Sequence, residues 1–203
     1  MIKGFDISEN NGSVNMLQAK AEGMEFVIIR LGYGNCHLDS KFYENINNAI
    51  YAGLKIGVYY YDYGLNAKDA KREAQFLVRI LLESGLTPDK LDLGVWFDME
   101  DADNWKRKHG MPKAHTITEM CSAFICECNK WGYWCGIYAS YDWLKNKINT
   151  EQLASYVPYW CAQWDDKCDW ENTLLWQYTD SLEINGQLFD GDILMKKLPV
   201  DKY

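Results

Sequence analysis

Leu93-Gly94-Val95-Trp96-Phe97-Asp98-Met99-Glu100-Asp101-Ala102-Asp103 is an apolar run that breaks into a burst of carboxylates. Its first half reads as a buried strand, because apolar and β-branched residues bounded by polar segments suit a two-sided interior. Its second half then lies at a strand end. Side chains in a strand alternate faces and rise ~3.3 Å per residue, so Asp98 and Glu100 share a face with Cα atoms roughly 7 Å apart. Burial and like-charge repulsion both push a carboxyl pKa upward, so one such group holds a proton at neutral pH while its neighbour stays ionised. Glycoside cleavage uses that division of labour. Two plainer readings stand beside it. One is solvated strand-end or helix-capping acids, since charged residues are mostly exposed. The other is a divalent-cation site built from Asp98, Glu100, Asp101 and Asp103, although the stretch lacks the D-x-D-x-D-G spacing of a calcium loop and the later Glu it needs.

At 203 residues with 48% hydrophobic content, the chain holds one substantial core, and a single domain over 1–203 of barrel or doubly wound type is expected. A net charge of -8 and a pI near 4.9 leave no basic footprint for nucleic acid and no attraction to an anionic membrane surface. Nine Trp and fourteen Tyr pack cores well, and they also suit a cleft that stacks the flat faces of sugars. Seven Cys is an odd number, with no C-x-x-C pair among them. Neither a disulfide framework nor a zinc site is expected, no cofactor is called for, and most of these thiols read as reduced, buried fillers. Met1-Ile2-Lys3-Gly4-Phe5-Asp6 has no apolar signal-peptide core, and no segment nears the ~20 apolar residues of a membrane span. The expected product is a soluble protein made in the cytoplasm, a monomer by default, that reaches any target outside the membrane only after release.

Outward from the opening stretch, strands and helices alternate. Ile2 to Ser8 reads as a strand delivering Asp6 to the turn Asn10-Asn11-Gly12. Residues 14–23 are helical and stop at Gly23, and 26–32 form a second strand with Arg30 near its end, either solvated or paired with one of the strand-end acids. Helical spacing over 41–52 ends at Gly53, followed by a strand over 55–61 that places Tyr59 and Tyr61 on one face and Tyr60 on the other. Residues 67–84 are an amphipathic helix, and a further helix is predicted from Thr118, as its cap, through Lys130. After Gly132 come strands over 133–139, 158–164, 174–178 and 188–194, with only a short helix near 145–156 between the first two. Eight strands, with helices between the early ones, imply a closed α/β barrel that loses its late helices. Reacting groups in such barrels sit at the C-terminal ends of the strands.

On this layout Asp6 ends strand 1, Asp98 and Glu100 end strand 4, and Asp190 lies in strand 8, which closure brings beside strand 1. Four acids converge on one mouth. Tyr61, Tyr138 and Gln177 lie near the same rim, where barrel packing alone also accounts for Tyr138 and Gln177. The three His (37, 109, 115) lie in polar loop contexts without a Ser or Cys partner, and no phosphate loop or dinucleotide fingerprint is present.

Gly4-Phe5-Asp6-Ile7-Ser8, Val27-Ile28-Ile29-Arg30, the Asp39/Phe42/Asn45 spacing before Ala52-Gly53-Leu54, Gly57-Val58-Tyr59-Tyr60-Tyr61, Phe97-Asp98-Met99-Glu100, Gly136-Ile137-Tyr138-Ala139-Ser140, Trp176-Gln177-Tyr178 and Phe189-Asp190-Gly191 together resemble glycoside hydrolase family 25. This is the Chalaropsis-type lysozyme family, common among phage endolysins and bacterial muramidases. The resemblance runs in order across nearly the whole chain. It implies a modified TIM-like barrel, (β/α)5β3, and cleavage of the β-1,4 bond between N-acetylmuramic acid and N-acetylglucosamine in cell-wall peptidoglycan. Carried over by position, Glu100 matches the general acid, and Asp98 the carboxylate that orients or stabilises the 2-acetamido group. Asp6 and Asp190 match the remaining acids, with Asp192 a competitor for Asp190 on the same strand face; Tyr59, Tyr61, Tyr138 and Gln177 are the expected substrate-binding residues. Many relatives carry a wall-binding module, and none is seen in this sequence.

Two readings from other classes remain open on the residues: a non-catalytic carbohydrate-binding barrel that uses the Tyr and Trp faces, and a metal-dependent hydrolase using the acidic cluster. A retaining, substrate-assisted route and an inverting one are both compatible with these acids, because the choice depends on carboxylate separation.

Overall fold

The computed structural model describes residues 2–198; Met1 and 199–203 lie outside them. Nine strands form one sheet: β1 (Ile2–Ile7), β2 (Phe26–Tyr33), β3 (His37–Leu38), β4 (Lys55–Tyr61), β5 (Val95–Asp98), β6 (Cys135–Ser140), β7 (Tyr159–Ala162), β8 (Thr173–Ile184) and β9 (Gln187–Leu194). Eight of them close on themselves in the order β1-β2-β4-β5-β6-β7-β8-β9, and β3 is a short antiparallel addition to β2. From β1 through β8 the neighbours run parallel, whereas β9 is antiparallel to both β8 and β1. Helices α1 (Met16–Ala21), α2 (Phe42–Ala52), α3 (Ala67–Glu83), α4 (Trp105–Lys108), α5 (Ala114–Asn129) and α6 (Tyr141–Asn146) fall between the early strands. With α4 and α5 sharing one connection, this is the five-unit barrel with three closing strands that the sequence predicts.

Alternation along each strand separates two interiors. Phe5, Ile7, Val27, Ile29, Val58, Tyr60, Val95 and Phe97 point outward into the layer under the helices. Phe26, Ile28, Tyr59, Trp96, Trp160 and Leu175 fill the barrel itself. Two small residues make room for those rings. A Cβ on Gly136 would lie 2.5 Å from the Trp96 ring, and one on Gly4 would lie 2.4 Å from the Phe26 ring. The indoles of Trp96 and Trp160 meet edge to face at 5.8 Å, and Tyr138 packs on Trp160 at 4.5 Å; such pairs add about 0.5–1.5 kcal/mol each beyond their area burial. This aromatic plug closes the barrel below the mouth, so the side chains above it sit on a dry floor.

The helices begin and end for local reasons. Asn66 caps α3 by accepting from the Lys68 and Asp69 amides, and Gly53 ends α2 in the left-handed region at φ 67°. Helix α5 starts four residues before its predicted cap. Thr118 lies inside the helix, where its hydroxyl donates to the Ala114 carbonyl at 2.9 Å and accepts from the Asn149 amide at 2.9 Å; the sequence pattern mistook an internal back-bonding threonine for a cap. The predicted helix over 145–156 is instead α6, ending at Asn146, and a 3-10 turn at Thr150–Gln152. His37 lies in strand β3, stacked on Tyr33, and not in a plain loop. Among the described residues no helix is long and apolar enough to cross a membrane.

Candidate active site

Asp98 closes β5, and the pleat continues past it. The Met99 amide donates to the Tyr138 carbonyl at 2.9 Å, and Met99 is fully buried on the outer side. Glu100 therefore turns inward beside Asp98, as the strand alternation predicts. From β1, Asp6 faces the same mouth, paired in register with Asp190 of β9. Asp192, two residues on, is wholly buried one layer deeper and accepts from the Trp160 indole at 2.8 Å. Asp190 is thus the rim acid and Asp192 the one beneath it.

Gln177 ties these groups together. Its amide nitrogen donates to Asp6 Oδ2 at 2.9 Å, while its oxygen accepts from the Tyr138 hydroxyl and from the Trp164 indole, both at 3.1 Å. Tyr61 lies at the rim and packs on Tyr63 at 5.1 Å, which in turn packs on Trp105 at 5.1 Å. Beside the mouth opens a groove of about 570 Å3, lined by Tyr33, His37, Tyr63, Arg72 and Trp105 among others. Tyr59 is buried in the barrel core, edge to face with Trp160, so it forms floor and not wall. Arg30, near the end of β2, pairs with Asp39 at 2.8 Å and Glu9 at 3.2 Å. Its partners are therefore acids outside the four of the mouth.

Crowding these acids over an apolar floor raises their pKa values. Burial, then Asp190, pushes Asp6 well above the ordinary carboxylate range, and burial, then Glu100, does the same to Asp98. Burial, then Asp6, raises Asp192 well above the ordinary carboxylate range. Glu100 is raised to about 7 by burial, with Lys106 pulling it down and Asp190 pushing it up. A carboxyl at about 7 is half protonated near neutrality, the condition under which a group donates a proton efficiently. Asp98 Oδ1 is buried and takes no hydrogen bond from any described residue, an acceptor left without a donor inside the site.

Lys106, Trp164, Tyr63 and Trp105 were not marked by the sequence pattern. Trp164 lies two residues past the end of β7 and is 59% exposed; an aromatic just beyond a barrel strand is the signal that points to it. Among the described residues no group of three or more His, Cys, Asp or Glu is arranged to hold a metal ion. All seven cysteines are free thiols; Cys126 is exposed and Cys128 buried, pointing apart on α5.

A closed barrel whose C-terminal mouth gathers strand-end acids over an aromatic floor is the setting of a barrel glycoside hydrolase. The chain belongs to glycosyl hydrolases family 25, whose family model matches residues 5–187. It is 28% identical over 201 residues to the autolytic lysozyme of Clostridium acetobutylicum, covering 95% of this chain and 55% of that protein. The chain thus spans about half the length of that relative. A family 25 glycosyl hydrolase from Bacillus anthracis superposes with TM-score 0.81 at 19% identity, over 97% of this chain and 89% of that one. The modular autolysin LytC of Streptococcus pneumoniae, solved in complex with a synthetic peptidoglycan ligand, gives TM-score 0.81 at 24% identity, over 94% and 46% respectively.

Proposed function

We propose that the chain is a peptidoglycan muramidase, cleaving the β-1,4 bond between N-acetylmuramic acid and N-acetylglucosamine. The observation that carries this reading is the pairing at the end of β5: a carboxyl held near 7 beside a buried aspartate with one carboxyl oxygen that has no donor. Glu100 protonates the leaving glycosidic oxygen. Asp98 accepts a hydrogen bond from the 2-acetamido N–H and stabilises the positive charge that develops at the reacting sugar. That charge, arriving beside Asp98, favours its ionised form, offsetting the desolvation that raises its pKa in the free protein.

Asp6 and Asp190 complete the acidic rim, and Gln177 orients Asp6. Tyr61 and Tyr138 offer ring faces and hydroxyls to the sugars, with Tyr59 beneath them. The peptidoglycan partner is supported by the lysozyme relative and by the peptidoglycan-bound structural neighbour, and the protein meets it at the cell wall after release from the cell that makes it. The catalytic domain acts as one unit over 1–203.

Digestion of purified peptidoglycan, borohydride reduction and mass spectrometry of the products test this. Fragments ending in reduced N-acetylmuramic acid are expected. Reduced N-acetylglucosamine ends would assign the other bond, and bound glycan without new reducing ends would make the barrel a binding module. Full activity after exhaustive EDTA treatment is expected, and loss restored by a divalent cation would turn the acidic cluster into a metal site.

A further inference from the structure

Lys106 is a cation in a place where cations are seldom left. It sits on the four-residue helix α4, immediately after the acidic stretch, and its side chain is 1% exposed. Two hydrogen bonds and one ion pair hold its ammonium. The ammonium donates to the Asp62 carbonyl, to the Glu100 carbonyl at 2.7 Å, and lies 3.2 Å from Asp62 Oδ2. The Asp62 amide in turn donates to the Asp98 carbonyl at 3.1 Å. Asp101 closes the loop from the other side, its carboxylate accepting from the amides of Lys106 at 2.6 Å and Arg107 at 3.1 Å. The backbone on either side of Glu100 is therefore pinned: Asp98 to the segment after β4, and Glu100 to that same segment through one ammonium.

We propose that Lys106 is the positioning residue of the reacting pair: it fixes the strand-end backbone that presents Asp98 and Glu100 and places a buried positive charge beside both. This rests on the reading of Asp98 and Glu100 as the reacting carboxylates. A solvated lysine would need no such explanation. A buried ammonium with its counter-ion is costly to desolvate and adds little stability over an apolar pair, so its retention at the catalytic loop calls for a role in the loop.

The groups facing it define its electrostatic effect. Asp62 and the Tyr61 ring, 5.9 Å from the ammonium, face it from the end of β4. Glu73 faces it from α3, its carboxyl pushed up to about 11 by burial and then by Asp62, and so neutral. Asp98, Glu100 and Asp103 surround it from the β5 side, and Cys121 from α5 is kept as a neutral thiol by burial. With Asp62 paired to it, Lys106 still holds both reacting carboxyls lower than burial alone would leave them. Its removal raises both.

The test compares wild type, Lys106→Arg, Lys106→Met and the double variant Lys106→Met/Asp62→Asn, which removes both charges and so avoids leaving Asp62 buried and unpaired. Two readouts are needed: carbon-13 NMR titration of the Asp98 and Glu100 carboxyls without substrate, and kcat and KM for release of reducing ends from peptidoglycan. In the folded Met variants the Glu100 titration moves up by about one pH unit or more. Over the same pH range kcat falls roughly 10²-fold, with KM changed less than about threefold. Lys106→Arg keeps the titration near wild type and recovers part of kcat. A folded double variant with unmoved carboxyl titrations and kcat within twofold of wild type would overturn the proposal. Were wild type to release no reducing ends while the titrations still moved, the muramidase reading would fall and the placement of Lys106 would stand.

Discussion

Two groups of acids share the barrel mouth, and the protein treats them differently. At the end of β5, Asp98 and Glu100 stand beside a buried lysine, and Glu100 comes to rest at about 7. Across the mouth, where β9 runs antiparallel to β1, Asp6 and Asp192 have neutral donors instead, the Gln177 amide and the Trp160 indole at 2.9 and 2.8 Å, and burial raises both. One group can change charge as a reaction proceeds. The other is locked into a network that fixes geometry. Acid count alone does not mark a catalytic group; the buried cation beside one pair does.

The largest expected effect lies in the β5 group. Glu100→Gln keeps shape and hydrogen bonding but removes the proton donor, so kcat should fall roughly 10³-fold, about 4 kcal/mol of barrier; reducing-end assays on the folded variant check it. Asp98→Asn should cost about 10²-fold in kcat, because an amide cannot balance positive charge at the sugar. Equal losses from Asp6→Asn or Asp192→Asn would erase the contrast between the two groups.

The raised Glu100 also leaves a signature in stability. Its ordinary pKa of 4.5 rises to about 7 on folding, so the folded chain binds more protons than the unfolded one over that interval. The contribution is fully present below 4.5 and is lost as pH climbs through 7. Relative to Glu100→Gln, wild type should therefore lose about 3 kcal/mol of stability between pH 4.5 and 7, read from urea midpoints at each pH. A constant difference across that range would mean the carboxyl is not raised.

Smaller effects are expected opposite. Trp160→Phe leaves Asp192 without its donor and thins the aromatic floor, a loss of about 2 kcal/mol in urea unfolding. Asp192→Asn should change stability by less than about 1 kcal/mol, since burial favours the neutral carboxyl and an amide replaces that form in the same shape while still accepting from the Trp160 indole. A much larger loss would show that Asp192 is a carboxylate, and the two groups would then differ less than the structure indicates.

Much of this frame is legible in the chain. All eight barrel strands follow from apolar runs bounded by glycines and polar turns, and the inward set falls out of a period of two once Asp98 is placed at a strand end. The misses share a cause. Lys106 lies in a short basic run, Trp105-Lys106-Arg107-Lys108, that reads as a solvated face because nothing local says one basic residue of three turns inward. Its burial is set by Asp62 and Glu73, from segments roughly 40 residues earlier, a tertiary pairing that periodicity does not carry. Strand β8 runs to Ile184, six residues past its predicted end, and turns into β9 through Asn185-Gly186, both at positive φ. That Asn-Gly pair is a hairpin signal in its own right, and the alternating Tyr178–Ile184 segment before it is too polar to stand out as a strand.

The central claim is that Glu100 gives a proton to the leaving oxygen. The most direct measurement compares the loss caused by Glu100→Gln on a peptidoglycan glycan strand with its loss on the dinitrophenyl β-glycoside of the same N-acetylmuramic acid unit, whose phenolate departs without a proton. The account predicts a roughly 10³-fold loss on the strand and less than about tenfold on the aryl glycoside. Equal losses on both substrates would contradict it and assign the proton to another group.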